Sequence, residues 1–174
     1  MNKFVTEYKF PQKFYFERII KRICFHIRNN DFNQPKVIDY GCGLSTLELF
    51  LNKYDPSISI KGYDIDPNLS KLSSPFLESY DIWVINHVLM YMNAIEIAAL
   101  FERIKNTNKN ASLIIGISRQ NLISKLGAYL LSPQAHDGTV SSFRIQKECI
   151  DQKLVVHSHE RIFSMTDLLI CKFF

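Results

Sequence analysis

Val37-Ile38-Asp39-Tyr40-Gly41-Cys42-Gly43-Leu44-Ser45-Thr46-Leu47-Glu48-Leu49 carries an apolar run into a glycine turn and out into a helix-like pattern. Lys36 to Tyr40 has the length and character of a buried strand. The glycines that follow permit a tight turn and let a ligand approach the backbone with no Cβ in its path. After the turn, Leu47, Leu49, Phe50 and Leu51 supply a buried side, and Ser45 and Glu48 stand at capping-box spacing. Ser57 to Tyr63 reads as a second strand, ending in Asp64-Ile65-Asp66-Pro67. An acid about twenty residues past the glycine turn is placed to accept hydrogen bonds from both hydroxyls of a ribose. Strand, glycine turn, helix, strand and acid describe half of a nucleoside-binding fold.

The alternation continues downstream. Asp81 to Asn86 (DIWVIN) is a continuous apolar strand of the kind buried on both faces of a parallel sheet. Ala94 to Lys105 reads as an amphipathic helix, Ser112 to Ile117 as a strand and Leu122 to Leu131 as a further helix. Lys153 to Phe163 and Thr166 to Phe174 are β-rich runs joined too tightly for a helical crossover, so they must pair antiparallel. The expected fold is α/β: a Rossmann-like, mostly parallel sheet with a C-terminal antiparallel hairpin. Upstream, apolar residues at helical spacing from Pro11 to Arg28 predict a helix, and Asn29 to Pro35 a polar loop. A single domain over 1–174 is expected, with 1–35 as an N-terminal helical extension and 36–174 as the core.

A chain of 174 residues that is 47% hydrophobic and 22% charged has ordinary globular usage, which argues against disorder. No apolar run reaches the roughly 18 to 20 residues of a membrane span. Met1 to Lys13 lacks the apolar core and cleavage site of a signal peptide. A cytoplasmic protein with no membrane partner is expected. Cys24, Cys42, Cys149 and Cys171 are scattered without a C-x-x-C pair, which favours reduced thiols over zinc. The net charge of +4 and pI near 8.8 fall short of the pI above about 9 of a dedicated nucleic-acid-binding domain. Part of the excess (Lys9, Lys13, Arg18, Lys21, Arg22, Arg28) lies along the first helix among aromatics. That helix either docks with its charges in solvent or offers a surface to nucleic acid or another acidic partner.

Which nucleoside the turn serves is decided by its neighbours. A dinucleotide site wants G-x-G-x-x-G, and Thr46 stands where the third glycine belongs. Asp39 precedes the first glycine by two residues, and its carboxylate would repel a pyrophosphate but attract an ammonium. Asp39-Tyr40-Gly41-Cys42-Gly43 resembles the (D/E)-x-G-x-G motif of the class I S-adenosylmethionine-dependent methyltransferases, with Ser45 in place of a frequent glycine. Gly62 to Pro67 (GYDIDP) is similar to that family's second motif, whose acid holds the ribose. Tyr80 to Met92 (YDIWVINHVLMYM) is similar to the motif of the branch that methylates small molecules. The resemblance implies S-adenosylmethionine held by Asp39, Tyr40, Gly41, Cys42, Gly43, Asp64, Ile65, Asn86 and His87, with Val88, Leu89 and Tyr91 opening the acceptor pocket.

One departure stands out. The family places a third strand and its crossover between the strands ending at Tyr63 and beginning at Tyr80, and here only Pro67 to Ser79 is available. A parallel crossover alone takes at least about ten to twelve residues, so the third strand is expected to be shortened or missing. Adenine would then rest on Ile65, with help from Leu69 to Phe76. His87, directly after a strand, is the first candidate for a catalytic base, and His136, in Ser132 to Thr139 (SPQAHDGT), the second. His157 and His159, near Glu160, share one strand face but fall short of the three or four ligands a metal needs. Ser118-Arg119 either meets a substrate or caps a helix. No N-P-P-Y-type tetrapeptide, Pro-Cys nucleophile or G-x-x-x-x-G-K-[ST] loop is present. The expected function is S-adenosylmethionine-dependent methyl transfer to a small-molecule acceptor by in-line displacement. The alternative is a non-catalytic methyltransferase-like module that binds nucleic acid or a protein; a nicotinamide-dependent reductase is disfavoured by Thr46 and Asp39.

Overall fold

Strands whose side chains are apolar on both faces need a layer on each, and the chain supplies two. A computed structural model describes residues 12–122 and 138–174. Helix α1 (Gln12–Arg28) precedes β1 (Lys36–Tyr40), α2 (Thr46–Tyr54), β2 (Ser59–Tyr63) and β3 (Ile82–Asn86). A 3₁₀ turn (Leu89–Tyr91), α3 (Ala94–Thr107), β4 (Ser112–Ser118), α4 (Phe143–Lys153), β5 (Leu154–Ile162) and β6 (Thr166–Phe173) follow. The six strands form one sheet in the order β2-β1-β3-β4-β6-β5. The first four strands are parallel, and β6 and β5 close the sheet antiparallel, with Ser118 opposite Thr166. The Rossmann-like architecture and its terminal hairpin are as the sequence predicts.

Alternation along the strands sends residues to two cores. Val37, Ile82, Val84, Ile114 and Leu168 meet α1 and α2 through Ile19, Ile23, Ile27, Leu47 and Leu51. Ile38, Trp83, Ile85, Leu113, Ile115 and Leu169 meet α3 and α4 through Ile97, Phe101, Ile104 and Ile150. Helix α1 is therefore a full member of one layer. Its Tyr15 hydroxyl hydrogen-bonds Thr166 on β6, and Arg22 and His26 both pair with Glu160 on β5. Arg28 pairs with Asp55, and Lys13 and Lys21 flank Glu17, so much of the helix's basic face is answered within the molecule. No helix among the described residues is long and apolar enough to cross a membrane.

Between Tyr63 and Ile82 the chain forms neither strand nor helix, so the third strand is missing and β2 is a sheet edge. What replaces the crossover is an irregular segment whose aromatics cover the sheet. Phe76 stacks on Trp83 at 5.4 Å, Tyr80 meets the same ring edge-on at 5.9 Å, and the Arg103 guanidinium lies 3.8 Å over Phe76.

Three local expectations change. The Ser45/Glu48 capping box does not form: Ser45 is left-handed (φ 57°) and makes no side-chain cap, because the glycine turn has already committed its backbone. Glu48 instead takes both bonds from Lys71 at 2.7 Å. A complete capping box sits at α3, where Asn93 accepts from Ile95 and Glu96 and the Glu96 carboxylate returns to the Asn93 N–H. Helix α4 was not legible: its run FRIQKECIDQK buries only Gln146, Cys149 and Ile150, too few for a helical apolar stripe. The helix expected from Leu122 to Leu131 lies, beyond Leu122, outside the described residues.

Candidate functional site

In an open parallel sheet, ligands bind beyond the carboxyl ends of the strands where the strand order reverses. Here β1 leads outward to β2, and the next strand, β3, lies on its other side, so the switch point falls between β1 and β3. At the end of β1 the chain turns through Gly41 (φ 79°) and Gly43 (φ 49°). The N–H groups of Gly41 and Cys42 both donate to the Tyr63 carbonyl, at 2.7 and 3.0 Å. The Gly43 N–H donates to Asp64 Oδ2 at 2.9 Å, and Asp66 N–H to the other oxygen at 3.0 Å. Asp64 is thus the clamp of the glycine turn, with the remaining lone pair of each oxygen left for a ligand.

Gly41 is required twice over. A Cβ there would fall 2.3 Å from Val88 Cγ2, in a backbone conformation side chains rarely adopt. Gly41→Ala is expected to destabilise the fold by about 2–5 kcal/mol, the sum of left-handed strain and overpacking. Adding Val88→Ala should recover the overpacking part only. Urea midpoints of the two variants check this, and full recovery in the double variant would remove the strain argument. Around Gly43 a Cβ would meet nothing within 4 Å, so that part of the turn is open to a ligand.

β3 ends in Asn86, and His87, the next residue, is left-handed (φ 59°). The His87 ring is held from both sides: Nδ1 lies 2.7 Å from Ser118 Oγ and Nε2 3.3 Å from Thr166 Oγ1. Asn86 Oδ1 is buried with no hydrogen-bond donor among the described residues.

Over these ends lies a cavity of about 430 Å³ lined by Tyr40, Gly41, Tyr63, Asp64, Ile65, Asn86, His87, Val88, Tyr91, Met92 and Glu96. A second cavity, of about 320 Å³, shares Tyr63, Asp64 and Ile65 and continues along Pro67, Ser70, Lys71, Leu72 and Ser73. Eight of the residues singled out in the sequence (Tyr40, Gly41, Asp64, Ile65, Asn86, His87, Val88, Tyr91) therefore line one cavity. Gly43 contributes its N–H to Asp64 from beside it. Asp39 and Cys42 are buried beneath the turn and do not line the cavity. Burial pushes the Asp39 carboxyl up to about 7, with the charges of Asp64 and Glu48 adding to it. Burial likewise takes the Cys42 thiol to about 11, a value that makes it inert. His136 lies outside the described residues.

Sequence reasoning missed Tyr63, Met92 and Glu96. Glu96 had a signal, since Asn93 and Glu96 stand at the spacing of a capping box. His159 turns to Asp167 and Glu160 to Arg22 and His26, and no group of three or more potential metal ligands occurs among the described residues.

No protein-family profile and no curated protein sequence matches the chain. Solved structures do match. A protein from Pyrococcus horikoshii OT3 superposes with a TM-score of 0.66 at 11% identity, over 91% of each chain. The mitomycin 7-O-methyltransferase MmcR superposes at 0.67 with 14% identity, over 94% of this chain and 56% of that one. Human N-acetylserotonin methyltransferase, solved with S-adenosylmethionine, gives 0.64 at 14% identity, over 93% and 55%. The chain thus spans little more than half the length of these two methyltransferases. At such identities the likeness is one of fold, and the fold is that of the class I S-adenosylmethionine-dependent methyltransferases, here without the third strand.

Proposed function

We propose that the chain binds S-adenosylmethionine across the switch point and catalyses methyl transfer to a small-molecule acceptor. The observation that carries this reading is the Asp64 carboxylate, which grips the glycine turn while facing both cavities. The residues present fit the cofactor: its ribose hydroxyls would meet Asp64, and adenine the cavity from Ile65 to Ser73. The amino-acid end would lie against Tyr40, Gly41 and Gly43, with Asn86 on the same cavity lining. Asp39 and Cys42 would support the turn from below, Asp39 adding a negative charge near the ligand's cationic end. When bound, the cofactor supplies a sulfonium methyl open to in-line displacement. Aligning an acceptor with it can remove roughly 7–11 kcal/mol of barrier. For an oxygen or nitrogen acceptor, His87 would take the proton at Nε2, whose bond to Thr166 is longer than the Nδ1 bond to Ser118. His136 is the second candidate for that role.

Titrating S-adenosylhomocysteine in a calorimeter, with NADH in parallel, tests the reading. One-site binding with NADH silent is expected, and saturation at about 100 times Kd should raise stability by roughly 2.7 kcal/mol. Silence toward S-adenosylhomocysteine, or equal binding of NADH, would overturn it.

The missing third strand supports a second reading, a methyltransferase-like module that binds nucleic acid or a protein without turnover. A salt-dependent affinity for RNA in the absence of methyl transfer distinguishes it. Either way we place the protein in the cytoplasm, where its four buried, unpaired thiols suit a reducing compartment.

A further inference from the structure

On the antiparallel hairpin side of the sheet, two arginines and a histidine converge on one carboxylate. Arg119 Nη1 donates to both oxygens of Asp167, at 3.2 and 3.3 Å. Arg161 Nε donates to Oδ1 at 3.3 Å, and His159 Nε2 lies 3.2 Å from the same oxygen. The Asp167 side chain is 5% exposed, while those of Arg119, His159 and Arg161 are 26%, 44% and 50% exposed. Burial alone would raise the Asp167 pKa; the bonds from His159, Arg119 and Arg161 hold it below the usual carboxylate range. Two guanidinium groups around one carboxylate leave a net positive charge even with His159 neutral. A guanidinium carries five N–H donors, and Asp167 engages one nitrogen of each arginine. Arg119 also rests over the Phe143 ring, 5.7 Å from its centroid, which fixes the fork's direction. The buried carboxylate orders the arginines without exhausting them.

The position ties this cluster to the site. Arg119 follows Ser118 and Asp167 follows Thr166, the two residues whose hydroxyls hold the His87 ring. Arg119 therefore leaves the chain one residue from a His87 contact, at the carboxyl end of β4, and Arg161 joins it from β5, opposite Asp167.

We propose that Arg119 and Arg161 bind an oxyanion, carboxylate or phosphate, carried by the methyl acceptor; the word acceptor rests on the function proposed above. Arginine forks match both groups in bidentate fashion. The cluster is compact, which suits a single anionic group. A nucleic-acid backbone would instead be met by basic residues spread over several phosphates, about 6–10 in well-studied cases.

The test uses the full chain labelled with nitrogen-15, read at the arginine Nε–H signals. It is titrated with sodium phosphate and, separately, sodium acetate at constant ionic strength. The Arg119 and Arg161 signals should move together and saturate with at least one of the anions, and which one identifies the group. Arg119→Gln and Arg161→Gln should each weaken that binding by about tenfold, as expected for losing a charge-assisted hydrogen bond. Arg161→Lys should fall between, keeping the charge but losing the fork. Arg161 is the more exposed of the two, so the comparison stands even if the Arg119 variant fails to fold. Linear drift with both anions, or Arg161→Gln binding as tightly as the parent, overturns the proposal. Displacement of the anion by a single-stranded oligonucleotide with steep salt dependence would overturn it in favour of a nucleic-acid contact. The anion titration is read without cofactor. Its failure removes this site alone, and a silent S-adenosylhomocysteine titration removes the methyl-transfer reading, and with it the acceptor, while leaving the anion site standing.

Discussion

Asp64→Asn should weaken S-adenosylhomocysteine binding by roughly 100- to 10,000-fold in a calorimetric titration. Hydrogen bonds to a charged group contribute about 1.5–3 kcal/mol each, and two ribose hydroxyls would share this carboxylate. The same change also touches the empty protein. Asp64 accepts the N–H groups of Gly43 and Asp66, and asparagine keeps an acceptor for only one of them. A loss of about 1–3 kcal/mol of stability is expected alongside the loss of affinity. The two effects separate on titration: the folded fraction of the variant, measured by urea unfolding, stays high while the affinity falls. A folded variant that binds nearly as tightly as the parent would remove Asp64 from the ribose and with it the cofactor assignment.

The second large effect has the opposite sign in the empty protein. Asp39 titrates near 7 when folded because it is buried, with Asp64 and Glu48 adding negative charge, against about 3.9 in an unfolded chain. Below pH 4 both states are protonated and nothing is lost. As pH rises from about 4 to 7, the unfolded state releases its proton while the folded state keeps it, so stability falls and then levels off above 7. A shift of about three units corresponds to a loss on the order of 4 kcal/mol. Asp39→Asn should therefore be the more stable protein at pH 8, by up to that amount, with the gap closing toward pH 4. A variant less stable than the parent at pH 8 would show that the carboxyl is not strained by burial. The same ionisation answers to the ligand. A cation beside Asp39 favours the charged form, so S-adenosylmethionine binding at pH 6 should release a proton, visible as a heat that changes with the buffer. The asparagine variant should bind more weakly and release none. Stability and binding pull against each other at this residue, a pattern common at functional positions.

These two acids also show how far the sequence could be read. Asp64 was legible because a strand, a glycine turn and an acid at fixed spacing leave few alternatives, and the structure puts it where that spacing implies. The missing third strand was legible from length alone, since Pro67 to Ser79 cannot hold a strand and its crossover. What covers that face was not. Phe76 and Tyr80 reach Trp83 from irregular backbone, and no periodicity records such a contact. Ser45 and Glu48 matched a capping pattern that the left-handed turn had already ruled out. In the Arg119–Asp167–Arg161 cluster, Arg119 stands 48 positions from Asp167 and reaches it only through the pairing of β4 with β6. The His87 contacts with Ser118 and Thr166 are non-local in the same way.

The docking of α1 has a consequence for how the protein is made. Tyr15 and Thr166 are separated by 151 positions, and Arg22 and Glu160 by 138. Helix α1 can begin to bury Ile19, Ile23 and Ile27 against β1 and α2, but it completes its docking only when β5 and β6 are in place. Until then, the part of that surface that meets the hairpin faces solvent or a chaperone. Closing such long loops comes late and slowly in folding. The nascent chain is thus vulnerable to aggregation through α1, and formation of the hairpin is the event that ends the exposure.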